Sequence, residues 1–382
     1  MSIVTESIDL PGLAPGAAFK LTAHTFDCAD REDGSKRSAY IQAGLHADEH
    51  PGLLAISHLL RHLVELERNG RLRGRVVVRP FANPVGMAQR LFGMPVGRFN
   101  LDNGENFNRR FPSIVDDVRD AIRSGTLKRN DTHAFKALFA ALLEQRSAHD
   151  PVAATKLHLL REALKHDVVL DLHCDTRAIL HLYSNRAQQA RATTLAAALG
   201  IETVFLEDIA GGGPLDEAYT QPWRALRDAD LVDDAHLGFC ASIELRGQAD
   251  VDDTLAERDA RGILRFLAAD GLIDWSDDNH TPTVTPRVYP LEGASHVPAP
   301  AAGIVTYRQR PGDAVRKGEL IAEIVPLDGA LDAPRHPVYS DVDGIVVVQQ
   351  QFALVRAGQR VALLAGLQPL AHRKTGQLLQ DF

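Results

Sequence analysis

From residue 37 to residue 247 the chain switches repeatedly between two hydrophobic periods, and that switching limits the folds open to it. "RSAYIQAGLH" (37–46) reads as a strand, "PGLLAISHLLRHLVELERNG" (51–70) carries apolar residues at helical spacing, and "GRVVVRPFANP" (74–84) is a β-branched run closed by a turn signal. The alternation resumes with "HDVVLDLHCDT" (166–176), "AILHLYSN" (178–185), a helix near 187–199, "IETVFLED" (201–208), a helix near 215–229 and "GFCASIELRG" (238–247). Strands separated by helices predict an α/β domain with a largely parallel or mixed sheet covered on both faces. The stretch before residue 37 reads as one or two edge strands.

A chain of 382 residues exceeds the size at which one hydrophobic core divides, so two domains are expected. The α/β domain is placed at 1–275, with a charged, mostly helical insertion at 113–165 that includes "THAFKALFAALLEQ". "DDNHTPTVTP" (277–286) reads as a polar linker. Beyond it, "PAAGIVTYRQRPGDAVRKGELIAEIV" and "SDVDGIVVVQQQFALVRAGQRVALLAG" share one pattern of Gly-Ile-Val, a variable stretch and a glycine turn before an apolar strand. This weak duplication predicts a smaller all-β domain, a sandwich or barrel, at 285–370.

Polar residues cluster at the ends of the predicted strands: His46 with Glu49, His173 in "DLHCDT" and Glu244 in "SIELRG". Ligands of open α/β sheets bind outside the carboxyl ends of strands, so separate strands can deliver these groups to one point. Zinc accepts two histidines and a carboxylate and keeps a fourth position open, and His46, Glu49 and His173 match that set. Glu244 would then be free to accept the proton of an attacking water. Strand period two places Asp171 on the face of His173, where it could orient the ring.

His58 and His62, four apart in "HLLRH", lack the Glu of an H-E-x-x-H site, and a solvated helix face is the expectation. "GGG" (211–213) is expected to be a mobile pocket loop, since no Lys-Ser/Thr follows to make a phosphate cradle. "NPVGMAQRLFGMPVGRFNLDNGENFNRRFP" (83–112) has no periodicity and is expected to stay out of the core. Its Arg98, Arg109 and Arg110 offer planar forks to an anionic substrate or a carbonyl, with an ordinary solvated loop as the alternative.

Fifty acidic against 42 basic side chains give a formal charge of -8, which argues against nucleic acid as a partner. Three scattered cysteines, Cys28, Cys174 and Cys240, suit a reducing compartment and leave any metal to His and carboxylate. No basic leader with an apolar core opens the chain and no apolar run reaches membrane-spanning length, so a cytoplasmic protein without membrane contact is expected.

Taken in order, "GLHADE", "NP", "GRFNLDNGENFNRRFP", "DLHCDT" and "IELRG" resemble the succinylglutamate desuccinylase/aspartoacylase family of zinc hydrolases, related to the zinc carboxypeptidases, over most of 35–270. The resemblance implies a zinc-carboxypeptidase-like mixed sheet flanked by helices. It implies one zinc on His46, Glu49 and His173, Glu244 as general base, and the Asn108–Arg109 pair on the substrate carboxylate. Arg98 would polarise the scissile carbonyl. The Arg98–Asn108 segment is about a residue longer than the family pattern, which keeps Arg90 as the alternative for that role. The C-terminal "PGDAVRKGELIAEI" resembles a lipoyl/biotinyl-like β fold, without the Met-Lys or Asp-Lys turn of a carrier.

The expectation is therefore a zinc-dependent amidohydrolase acting on a small N-acyl amino acid, with self-association left open. A metallocarboxypeptidase on short peptides, or a non-catalytic zinc scaffold whose β module recruits a partner, are the alternatives.

Overall fold

The computed structural model describes residues 3–28, 37–276 and 284–379. Most of the expected linker, 277–283, lies outside the described residues. The strands of the large sheet are β1 (Ile3–Leu10), β2 (Phe19–Phe26), β3 (Ser38–Ala43), β4 (Arg75–Arg79), β5 (Val168–Asp175), β6 (His181–Asn185), β7 (Thr203–Glu207), β8 (Phe239–Gly247) and β9 (Arg287–Pro290). They lie in the order β1-β2-β4-β3-β5-β8-β6-β7-β9. Neighbours β4, β3, β5 and β8 run parallel, whereas β6 opposes β8 and carries β7 and β9 parallel to itself. The fold is thus the expected mixed α/β sheet. Its last strand, β9, comes from within the segment that the sequence assigns to the β domain.

One face of the sheet meets α1 (Pro51–Arg68), α6 (Gln189–Leu199) and α8 (Asp253–Ala269) around Ile41, Leu170, Val204 and Ile243. Proline at the first position of α1 sets φ without losing a needed N–H, and Gly70, at φ 63, ends the run. The other face meets α3 (Val115–Arg123), α4 (Thr132–Glu144), α5 (Pro151–Ala163) and α7 (Leu215–Asp228). The helical insertion thereby completes the core, with Phe135 and Phe139 edge-on to Trp223. The 83–112 segment departs from expectation. It forms a short α2 (Pro84–Ala88) and buries Phe107 against Val85 and Val152 and Phe111 in the core of the second face, because the apolar area of two aromatic side chains outweighs the lack of periodicity.

The C-terminal region stacks two antiparallel sheets, the pattern expected for its all-β part. One holds β10 (Ala294–Pro298), β14 (Gly344–Gln349) and β15 (Arg360–Gly366); the other holds β11 (Gly303–Tyr307), β12 (Leu320–Val325) and β13 (His336–Tyr339). The two repeats interlock. Ala314–Val315 of the first pairs with β14 of the second, and Leu354–Val355 of the second pairs with β11 of the first. Matching turns follow these short strands, closed by Arg316 N–H donating to Glu319 and Arg356 N–H donating to Gln359. The β region also joins the α/β body, where Arg177–Ala178 pairs with β14.

Candidate metal centre and cavity

After β3 the chain makes a tight turn in which Glu49 N–H donates to His46 C=O at 3.2 Å, aiming both side chains at the end of β5. Gly97 approaches this turn so closely that a Cβ there would meet Asp48 N at 2.2 Å, and Ala47 N–H donates to Gly97 C=O. That approach brings Arg98 against Glu49, at 2.6 Å. His173 comes from β5, and its register partner on β8 is Glu244. Paired side chains of adjacent strands share a face, so Glu244 stands beside His173.

His46, Glu49 and His173 form a buried group whose ligand atoms all lie within 4.8 Å of one another. Its hydrogen bonding fits a cation. His46 Nε2 donates to Asn106 Oδ1 at 2.8 Å; that oxygen also accepts from Asn108 N–H, which fixes its identity. The remaining His46 Nδ1 therefore turns a lone pair toward Glu49 Oε1, 2.9 Å away. His173 Nε2 donates to Asp171 Oδ2 at 2.9 Å, so its Nδ1 faces Glu49 Oε2 at 3.0 Å. Two imidazole lone pairs facing one carboxylate need a positive charge between them, supplied by a proton or by a metal ion. Burial lowers His46, helped by Arg98. Burial also acts to lower His173, but Asp171 and Glu49 outweigh it and hold the ring well above its ordinary value. Against its own burial, Glu49 is held well below the carboxylate range by His46 and Arg98.

Asp171 is itself held. Gln42 donates to its Oδ1 at 3.0 Å, Tyr40 donates to Gln42 at 2.8 Å, and the buried Arg79 donates to Tyr40 at 2.9 Å. The sequence reading did not find this relay, although alternating residues on β3 place Tyr40 and Gln42 on the face of Asp171.

A cavity of about 760 Å3 opens over the group and is lined by His46, Arg98, Asn108, Arg109, His173 and Glu244. Glu244 Oε2 is shielded from solvent and has no hydrogen-bond partner among the described residues. Burial and the Glu49 carboxylate push this group up to about 8. Asn108 Oδ1 accepts from Leu215 N–H at 3.0 Å, which pins the start of α7 and turns the amide nitrogen toward His173. Arg90 instead lies exposed against the Met87 and Gln89 carbonyls, and Arg110 lines a second cavity. Of the arginines considered, Arg98 and Arg109 are the pair that line the cavity of the metal group.

Two expectations are corrected. His58 and His62 do not form a solvated face: His58 bonds Asp253 and Glu257 and His62 bonds Glu257, because α8 packs across α1. The 211–213 turn is a brace, with Gly211 N–H donating to Glu217, and Gly212 and Gly213 C=O accepting from Arg110 and Phe111 N–H. The far wall was not legible in the sequence: Tyr183 and Glu207 share the cavity lining with Arg356, Gln359 and Arg360 of the β region. No local motif marks those residues, since separate elements bring them together.

No helix among the described residues is long and apolar enough to cross a membrane. No relative is found among curated proteins by sequence. The fold matches a Shewanella amazonensis protein described as a member of the succinylglutamate desuccinylase/aspartoacylase family, with 24% identity and TM-score 0.82 over 95% of this chain and 98% of that one. It also matches a protein from Shewanella frigidimarina given the same description, with 23% identity and TM-score 0.80 over 96% and 99%. The product-bound ectoine utilization protein EutE (DoeB) of Ruegeria pomeroyi shares 16% identity at TM-score 0.65 over 95% of both chains. The model of the succinylglutamate desuccinylase/aspartoacylase catalytic domain matches residues 35–269, which hold all three residues of the metal group. The chain therefore belongs to the succinylglutamate desuccinylase/aspartoacylase family of hydrolases.

Proposed function

We propose that this chain is a zinc-dependent deacylase that hydrolyses the amide bond of a small N-acyl amino acid. One observation carries the reading: a three-residue metal group and Glu244, whose Oε2 is shielded and has no hydrogen-bond partner among the described residues, line the same cavity. His46, Glu49 and His173 would hold the ion, a ligand set that suits zinc and leaves its coordination open. When bound, zinc supplies Lewis acidity that polarises a carbonyl and acidifies water. Glu244 takes the proton of the attacking water and returns it to the leaving amine. Arg98 stabilises charge developing on the carbonyl oxygen, and Asn108 and Arg109 hold the substrate carboxylate.

Purified protein should carry about one zinc per chain, and N-acetyl and N-succinyl amino acids should be turned over. Glu244→Gln keeps size and removes the base, so zinc content should hold while kcat falls by roughly 10²- to 10⁴-fold. Metal analysis and kinetics on one preparation decide this. Lost zinc would make Glu244 a ligand, and normal turnover with normal zinc would overturn its role.

A further inference from the structure

The cavity continues beyond the metal group. Ser242, Tyr183 and Phe205 stand in register on β8, β6 and β7, and Glu207 lies two residues past Phe205 on the same face. Ser242, Tyr183 and Glu207 of that row line the cavity, above the buried Phe205. At about 760 Å3 the space is of the size that encloses drug-sized molecules, so a small N-acyl amino acid fills only part of it.

Glu207 is 7% exposed, and among the described residues no hydrogen bond or ion pair reaches its carboxyl. Buried carboxyls are ordinarily paired, so this one is open to a ligand. Elsewhere in the lining, opposite charges answer each other: Arg98 meets Glu49 at 2.6 Å and Arg360 meets Asp175 at 3.0 Å. Around Glu207 the charges are Asp216, Glu217 and Glu292, with Arg186 as the opposing cation. Burial and then these carboxylates hold Glu207 well above the usual carboxylate range. A cation beside it would relieve that repulsion.

We propose that Glu207 forms a second subsite, which receives a cationic group at the side-chain end of the substrate's amino-acid portion. The inference rests on the deacylase reading above. It concerns the amino-acid portion because Arg109, assigned to the carboxylate, shares a wall with Glu207: Gly212 packs on the Arg109 side chain, and Asp216 and Glu217 follow in the same segment.

N-acetylornithine and N-acetylnorvaline differ by one ammonium group, so their ratio of kcat/KM reads the subsite. The zinc-loaded protein should favour N-acetylornithine by about tenfold or more, the scale of one hydrogen bond to a charged group. Glu207→Gln, which keeps the volume, should bring the ratio close to one, with thermal unfolding verifying its fold. Equal handling by the wild type, or an undiminished preference in the variant, would overturn the subsite. Calorimetric binding of both compounds to Glu244→Gln protein, with and without Glu207→Gln, gives the same ratio without turnover. Hydrolysis of both without discrimination leaves the deacylase standing and removes the subsite. Hydrolysis of neither removes the deacylase, and the binding ratio then decides the subsite alone.

Discussion

Asp171 has two oxygens with separate duties: Oδ1 accepts from Gln42 and Oδ2 from His173. An asparagine there can satisfy only one of these donors, because its amino group would face the other. Gln42 cannot simply flip, since its Oε1 accepts from Tyr40, whose oxygen already accepts from Arg79. Asp171→Asn should therefore lower metal affinity by about 10- to 100-fold, the usual effect of losing an outer partner of a ligating histidine. Competition with a chelator measures it, and unchanged affinity would reduce Asp171 to packing. At this scale much was legible in the sequence. His46 and His173 each end a local strand pattern with Glu49 three residues after the first, and the Asp171–His173 pairing follows from period two. The relay behind Asp171 was not legible, because it depends on which strand lies beside β5.

The elements themselves were read well where a hydrophobic period sustained itself, as in α1, β4, β5, α7 and β8. Their directions were not, since β6 runs against β8 and period is silent about orientation. That reversal places Glu207 and Glu244 toward opposite ends of one sheet face and lets the cavity run across it. The 211–213 turn shows the same limit, because glycine composition does not distinguish a mobile loop from a fixed brace. Gly212 has φ +80, and a Cβ on it would meet Arg109 Cδ at 3.0 Å. Gly212→Ala should cost about 1–2 kcal/mol from the left-handed backbone and displace Arg109. The measurable outcome is a lower Tm and a raised KM for substrates with a free carboxylate. An amidated substrate should be handled alike by both proteins, and a KM rise common to both substrates would show that Arg109 does not act on the carboxylate.

For the whole molecule, the question is why a hydrolase body carries a β module at all. The module lines the cavity's outer wall, and several ties hold it there, three of them just beyond His173. Arg177–Ala178 adds to β14, Thr176 Oγ1 donates to Gln349 C=O at 2.9 Å, and Arg360 pairs with Asp175. The last tie is the most exacting, because Asp175 is 13% exposed and two residues from His173, so it has little water to replace a lost partner. Arg360→Ala should destabilise the protein by about 2–3 kcal/mol, at or just below the lower end of the range for a broken buried pair because Arg360 is itself 23% exposed. Removing both charges, in Asp175→Ala with Arg360→Ala, should recover part of that loss, since the unpaired buried charge is then gone. Denaturant unfolding of the two single variants and the double variant separates this coupling from lost packing. Kinetics add a second reading, because the metal group does not touch Arg360. If the β module shapes substrate binding, the Arg360 variant should raise KM more than it lowers kcat. Equal losses in both would mean that the wall positions the metal centre itself, and strict additivity in the unfolding cycle would show that Arg360 and Asp175 are not what holds the two parts together.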